Sequence, residues 1–251
     1  MRLTVLGSSA SYAAAGRACA GYLVRDGGVA VLLDCGNGSL SNLTRVADPL
    51  SLGAVIITHE HVDHFADLYA LQAALRYASS GPAAALPLYL PAGLFDRIGA
   101  VLNERGRAEL AEAFIVHELA AGVPFTVGGL TITSHEVDHV EPTFALRITD
   151  GICTFAYTSD TAPGAAVRDV ASGAYLLLAE ATLPAAYAGR APHMTPAQAG
   201  ELARDAGVRV LVLTHLWPTI DRAVALAEAR AAFGGKIIIA EELGVIDCEE
   251  E

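Results

Sequence analysis

Basic residues are scarce in this sequence. It contains 16 lysines and arginines against 28 aspartates and glutamates, which gives a formal net charge of −12 at pH 7. Such a chain has no strong electrostatic attraction to a polyanion, so an extended RNA or DNA partner is disfavoured. Bound divalent cations would offset the negative charge locally and could recruit a small anionic substrate. The composition is therefore compatible with a compact phosphate ester as ligand.

Cysteine is also scarce. The four cysteines, Cys19, Cys35, Cys153 and Cys248, lie far apart in the chain and include no Cys-x-x-Cys pair. This number and spacing differ from those of a small disulfide-stapled scaffold. We expect ordinary reduced thiols.

Long apolar runs and flexible linkers are absent from the sequence. The N-terminal residues Met1 and Arg2 lead straight into LTVLGSS, without the long apolar stretch of a signal peptide, and no later run is long enough to span a bilayer. Apolar residues make up 53% of the chain, enough for a substantial core. We expect one domain over residues 1–251 in the cytoplasm, without a membrane partner. Since two-fold dimers are the commonest soluble oligomers, a homodimer is the expected assembly.

Apolar patterning predicts an α/β fold. The first third of the chain reads as β-rich, with Gly27-Gly28 as the turn of a hairpin, and two further hairpins are predicted in the middle. Strands and helices alternate in the last third. The predicted helices lie near residues 65–78, 93–113, 195–206 and 219–233, the third one capped by Thr195.

The run HEHVDH at residues 59–64 follows a short apolar strand. A solvated polar turn is one interpretation, but clustered imidazoles with a carboxylate at a strand end are typical of a metal site. His59 and His61 are two residues apart and can bind one ion. Asp63 and His64, turned by the start of a helix, can then face a second ion. The run therefore predicts the first part of a two-metal site.

Other strand ends must complete such a site, because a catalytic zinc-like centre requires three protein ligands per ion. His139, Asp160 and His215 each stand where a predicted strand ends. Asp160 could instead cap a turn, and His215 could simply end its strand. His135 competes with His139 for the same role, and the sequence leaves that choice open.

Taken in this order, the residues resemble the metallo-β-lactamase superfamily, and the resemblance covers nearly the whole chain. It implies an α/β fold with a four-layer αββα sandwich and two divalent metal ions. Zn²⁺ is the first expectation, while Mn²⁺ and Fe²⁺ also accept such ligands. The implied ligands are His59, His61 and His139 for one ion, Asp63, His64 and His215 for the other, and Asp160 between them. Because the true β-lactamases carry cysteine where Asp160 stands, lactam hydrolysis is not expected.

Shorter motifs resemble the ribonuclease Z-like branch of that superfamily. They are LLDCGNG at 32–38, TSDT at 158–161, EAT at 180–182, HMT at 193–195 and LTH at 213–215. The resemblance implies that Glu180 and His193 pair beside the metals and that the histidine protonates the leaving oxygen. A carboxylate that orients a histidine is also a common acid/base arrangement. The alternative is a surface glutamate and a histidine that merely precedes a helix.

Asp34 ends a predicted strand in the first of these motifs. It could orient a ligand histidine or serve as a turn residue. Asp63 is expected to act in catalysis by helping to hold a hydroxide shared by the two metal ions.

Two departures from the ribonuclease Z pattern narrow the expected function. That enzyme grips tRNA with an arm inserted where this chain has only residues 149–152, and the segment after His215 reads LWPTIDR instead of the usual continuation. We therefore predict a two-metal phosphodiesterase for a small phosphodiester such as a cyclic nucleotide. The alternatives are a tRNA 3′-end endonuclease, a thioester or lactone hydrolase of the same fold, and a metal-binding protein without enzymatic activity.

Overall fold

The computed structural model describes residues 1–248 and contains two seven-stranded β-sheets within them. The first sheet has the strand order β14-β1-β2-β3-β4-β5-β6. Strands β3 to β6 run parallel, whereas β14, β1, β2 and β3 pair antiparallel. Its strands are β1 (Arg2–Gly7), β2 (Gly21–Asp26), β3 (Val29–Cys35), β4 (Ala54–Ile56), β5 (Leu86–Leu90), β6 (Phe114–Glu118) and β14 (Val245–Asp247).

The second sheet has the order β13-β12-β11-β10-β9-β8-β7. Strands β7 to β10 pair antiparallel and β10 to β13 run parallel. Its strands are β7 (Pro124–Val127), β8 (Leu130–Glu136), β9 (Phe144–Thr149), β10 (Thr154–Tyr157), β11 (Leu176–Glu180), β12 (Val210–Thr214) and β13 (Lys236–Ile239).

Helices cover the outer face of each sheet. The helices are α1 (Ser39–Val46), α2 (Val62–Phe65), α3 (Leu68–Arg76), α4 (Leu94–Ala100), α5 (Glu104–Ala113), α6 (Ala165–Ala171), α7 (Pro196–Asp205) and α8 (Arg222–Ala232). One core between the two sheets and two cores between sheets and helices account for the buried apolar side chains. Because side chains alternate along a strand, Leu33 enters the central core while its neighbour Leu32 packs beneath the helices. The predicted αββα sandwich is confirmed.

Several local predictions are confirmed. Gly27 and Gly28 have φ angles of 51° and 92° and join β2 to β3, because a tight hairpin turn of this kind requires positive φ. Thr195 begins α7 with a capping box whose other member is Gln198. Within residues 1–248, no helix is long and apolar enough to cross a membrane.

Other helix predictions were wrong in their bounds. The helix expected over 93–113 is two helices, because the first ends at Ala100 and Asn103 caps a new one by accepting a hydrogen bond from Gly106 N. The helix expected over 65–78 is α3, which is shorter at both ends, and a separate short helix, α2, begins inside the HEHVDH run. Helices α1 and α6 were not predicted from the sequence.

The prediction of four reduced cysteines is wrong for two of them. Cys153 and Cys248 form a disulfide, with their Cα atoms 6.2 Å apart. They are 95 residues apart in sequence, so spacing did not indicate the pairing. The fold brings the segment after β14 beside the β9–β10 connection. Cys19 and Cys35 are free and buried.

Candidate metal centre

The polar side chains that follow the strands converge at one edge of the sandwich. The HEHVDH run follows β4, and the other three residues follow β8, β10 and β12. Three groups of ligating atoms result among the described residues, and within each group the atoms lie within 4.8 Å of one another; the third, Asp160, His193 and His215, shares members with the first two. The first group is His59, His61, His139 and Asp160, and the second is Asp63, His64 and His215. The structure thus brings together all seven side chains proposed as metal ligands.

His139, and not His135, joins the first group. His135 lies within β8, opposite Ala145 of β9, and among the described residues it contributes to neither group. His139 is three residues past the strand end, where the chain has turned toward the centre. Its Nε2 lies 3.1 Å from Nδ1 of His61.

The nitrogens of His64 and His215 face each other in the second group. Nδ1 of His64 donates to Asp34 at 2.8 Å, and Nδ1 of His215 lies 2.9 Å from Oγ1 of Thr182. With both Nδ1 atoms engaged in these contacts, Nε2 is the nitrogen of each imidazole that faces the centre. These Nε2 atoms are 3.2 Å apart. In the absence of metal a proton shared by the two nitrogens accounts for this contact, and a divalent cation bound by both imidazoles would replace that proton.

Asp160 lies between the two groups. Its Oδ2 is 3.4 Å from His64 Nε2, 3.7 Å from His59 Nε2 and 3.8 Å from His139 Nε2. Its Oδ1 is 3.3 Å from His215 Nδ1. Burial alone would raise its pKa, but the neighbouring His215 and His64 hold the pKa of Asp160 well below its usual range. The carboxylate is therefore available to cations on both sides.

Two buried polar atoms of the centre indicate whether metal ions fit there. Nε2 of His59 and Oδ1 of Asp160 have no hydrogen-bond partner among residues 1–248, although both side chains are almost fully buried. An unsatisfied buried polar atom costs roughly 1–3 kcal/mol and is rare in folded proteins. Metal ions would satisfy both atoms, and imidazoles with carboxylates suit Zn²⁺, Mn²⁺ or Fe²⁺. The residues fit divalent metals.

Asp63 reaches the centre from the start of α2. Its Oδ2 accepts a hydrogen bond from Ser11 N at 2.7 Å and lies 3.3 Å from His215 Nε2. Burial would raise its pKa, but the hydrogen bond from His215 and the charge of His64 lower the pKa of Asp63 below its usual range. The Ser11 contact, which sequence reasoning missed, ties the β1–β2 connection to the metal centre.

Glu180 and His193 form a pair beside the two groups. Nδ1 of His193 donates to Oε1 of Glu180 at 2.8 Å. The glutamate is fully buried and also accepts from the backbone N–H groups of Thr161, Thr182 and Met194. A ligating atom of His193 lies within 4.8 Å of those of Asp160 and His215. The alternative of a surface glutamate is therefore wrong.

The charge state of His193 follows from this pairing. Burial by itself lowers the pKa of the imidazole, but the hydrogen bond and the negative charge of Glu180 outweigh burial and raise the pKa of His193 above its usual value. The imidazole can therefore carry a proton toward the centre.

Comparison with known proteins decides the family. Residues 30–216 match the family described as the beta-lactamase superfamily domain, which is well over half of the chain. The chain belongs to the metallo-β-lactamase superfamily. With its histidine and aspartate groups, it is a metallo-hydrolase of the β-lactamase fold.

Three relatives of this superfamily member resemble it over nearly its whole length. Rv1339 of Mycobacterium tuberculosis is 36% identical, covering 94% of this chain and 88% of its own. The probable metallo-hydrolase YhfI of Bacillus subtilis is 32% identical over 96% and 97% of the two chains. The crystal structure of YhfI superposes with a TM-score of 0.88, covering 98% of this chain and 99% of that one. A ribonuclease Z of Mycobacterium sp. strain KMS is 30% identical over 97% of this chain and 94% of its own.

Residues that hydrogen-bond to the ligand histidines hold these side chains in place in this metallo-hydrolase. Asp34 is fully buried and accepts hydrogen bonds from His64, from Tyr157 at 2.7 Å and from Thr58 N at 2.9 Å. The structure therefore favours the orienting role for Asp34 over the turn role. Nδ1 of His139 donates to the carbonyl of Pro192 at 3.0 Å. The tyrosine and proline contacts carry no signal in the sequence, whereas Thr58 directly precedes the HEHVDH run.

Proposed function

We propose that this metallo-hydrolase is a two-metal phosphodiesterase that acts on a small phosphodiester such as a cyclic nucleotide. The observation that carries the proposal is the pair formed by Glu180 and His193 beside the two ligand groups. A hydrolase that only adds water to a reactive acyl group does not need such a pair. A phosphodiesterase whose substrate has a basic leaving oxygen does, because that oxygen must be protonated as it departs.

The two groups would hold the metals, with His59, His61 and His139 at one ion, Asp63, His64 and His215 at the other, and Asp160 at both. Two divalent ions would supply an activated water and neutralise charge on the phosphoryl oxygens. Asp63 is positioned to hold that water, because its Oδ2 is fixed by Ser11 N and directed at the centre.

His193 is the proposed proton donor. Its Nδ1 is held by Glu180, so Nε2 is the nitrogen that can reach a substrate. Glu180 cannot swing away, because three backbone N–H groups also bind its carboxylate. A departing alkoxide is far more basic than a departing thiolate and benefits far more from a donated proton. The pair therefore favours a phosphodiester over a thioester.

The short connection between β9 and β10 supports the proposal of a small substrate. Residues 150–153 form a tight turn in which Asp150 accepts hydrogen bonds from Ile152 N and Cys153 N. This turn leaves no room for a tRNA-binding arm. The alignment with the mycobacterial ribonuclease Z spans 270 positions, more than the 251 residues of this chain, so that enzyme contains segments that this chain lacks. The net charge of −12 also disfavours tRNA.

Turnover of two diesters that differ in leaving group tests the proposal. The metal-loaded protein is expected to hydrolyse 3′,5′-cyclic AMP and bis(p-nitrophenyl) phosphate. His193→Ala should lower kcat for cyclic AMP by roughly 10²- to 10⁴-fold. It should affect the p-nitrophenyl ester far less, because p-nitrophenolate departs without a proton. Turnover confined to a thioester or to precursor tRNA, or equal losses on both diesters, would overturn it.

A further inference from the structure

Two aromatic residues, Tyr187 and Trp217, stand on chain segments that adjoin the metal centre, and they belong to none of its ligand groups. The rings of Tyr187 and Trp217 have centroids 6.1 Å apart and planes at 70°. The guanidinium carbon of Arg190 lies 5.2 Å from the centroid of the Tyr187 ring. Tyr187 is 44% exposed, Trp217 is half-buried, and Trp217 is the single tryptophan of the sequence.

The chain places both residues on segments that adjoin the ligand groups. Trp217 follows His215 by two residues, so its Cα lies within about 7.6 Å of the Cα of that histidine. Tyr187 lies in the loop 184–192, which is anchored at the centre on both sides. Leu183 N donates to Met194 O at 3.0 Å where the loop begins and ends, and the carbonyl of Pro192 binds His139 at 3.0 Å.

Packing in the hydrophobic cores does not explain these rings, whose described partners are each other and Arg190. Neither Tyr187 nor Trp217 belongs to any of the three hydrophobic cores of the described residues, even among the partly buried members. Exposing large aromatic surface beside a reaction centre loses the free energy that burial would provide. A ligand that covers the rings recovers it.

We infer that Tyr187, Arg190 and Trp217 bind the planar nitrogen heterocycle of the substrate, a nucleobase, while its phosphate lies at the metal centre. This inference rests on the proposed phosphodiesterase function. At 70° the two rings offer a base one face and one edge, an arrangement that aromatic groups favour. Arg190 adds a planar cation that stacks on aromatic faces. Stacking of one base on an aromatic side chain is worth roughly 5- to 150-fold in affinity.

Binding of AMP and of ribose 5-phosphate, which differ only in the base, tests the inference. AMP is expected to quench the fluorescence of Trp217 and to bind at least about tenfold more tightly than ribose 5-phosphate in calorimetry. Tyr187→Ala and Trp217→Ala should remove most of this preference, whereas Trp217→Phe should keep most of it. Tyr77→Ala removes a ring that is 63% exposed on another part of the surface, and it should leave the preference unchanged.

Equal affinities for the two ligands in the wild-type protein would overturn the inference, as would a full preference in Tyr187→Ala. Tyr187 lies on an exposed loop outside the cores, so its replacement leaves the fold intact and keeps the test valid if Trp217→Ala does not fold. Because binding is measured without turnover, failure of the proposed function can be distinguished from failure of this inference. In that case AMP would be preferred although cyclic AMP is not hydrolysed.

Discussion

Asp34 accepts a hydrogen bond from Nδ1 of His64 at 2.8 Å, and neither side chain is exposed to solvent. The contact leaves Nε2 as the nitrogen of the imidazole that is directed at His215. Asp34 has a positive φ of 53° at the end of β3, a backbone conformation that aspartate tolerates better than most residues. The carboxylate therefore sets the tautomer and the direction of a metal-binding side chain.

Asp34→Asn should lower the affinity for divalent metal by about 10- to 100-fold, because the neutral amide supports the imidazole less well than a carboxylate does. Competition with a chromogenic chelator measures this affinity. Asp48→Asn is the matched control, since Asp48 caps an exposed turn and asparagine is an equally good cap. Unchanged metal affinity in Asp34→Asn would show that the contact does not orient the ligand.

Asp63→Ala and His64→Ala should each abolish turnover of bis(p-nitrophenyl) phosphate and reduce the metal content below two ions per chain. Circular dichroism should show that the fold is largely retained. His135→Ala is the matched control, because His135 lies outside both ligand groups, and it should keep metal and activity. His139→Ala should behave like the first two variants. Undiminished turnover in both Asp63→Ala and His64→Ala would contradict the two-metal proposal.

Removing metal should destabilise the protein as well as inactivate it. Ions at 100 times their Kd would add about 2.7 kcal/mol per site to the free energy of unfolding. Thermal unfolding with and without a chelator measures the effect, and re-adding Zn²⁺ or Mn²⁺ should restore the higher Tm. In His139→Ala, re-adding metal should raise the Tm by less than it does in the wild-type protein. If the chelator leaves the Tm of the wild-type protein unchanged, the ligand groups do not hold structural or catalytic metal.

The free thiols should resist alkylation in the folded protein. Burial, with smaller contributions from Asp63 and Asp67, raises the pKa of Cys19 to about 12, and burial raises the pKa of Cys35 as well. Since a raised pKa keeps a thiol protonated, neither thiolate is populated at pH 8. Ellman's reagent should detect no fast-reacting thiol in the native state and two thiols after unfolding without reductant. Four thiols under those conditions would rule out the disulfide between Cys153 and Cys248.

Features with a local cause were predictable from the sequence. The hairpin at Gly27-Gly28 follows from the positive φ that glycine allows, and the start of α7 follows from the capping box at Thr195. The HEHVDH run indicated a metal site because three imidazoles, interleaved with Asp63, lie within six residues after an apolar strand. The order of such motifs along the chain carried the resemblance to the superfamily, and that resemblance implied the αββα sandwich.

Features that depend on distant parts of the chain meeting were decided only by the tertiary structure. The turn after β8 selects His139 over His135, and the approach of Glu180 to a histidine 13 residues later creates the buried carboxylate–imidazole pair. The same holds for the disulfide to Cys248 and for the ring of Trp217 beside the loop 184–192. None of these contacts follows from local preference, because each requires two sheets to pack and align the ends of their strands. The sequence alone therefore determined which residues can bind metal, while the packing of the sheets decided how they are oriented and what lies beside them.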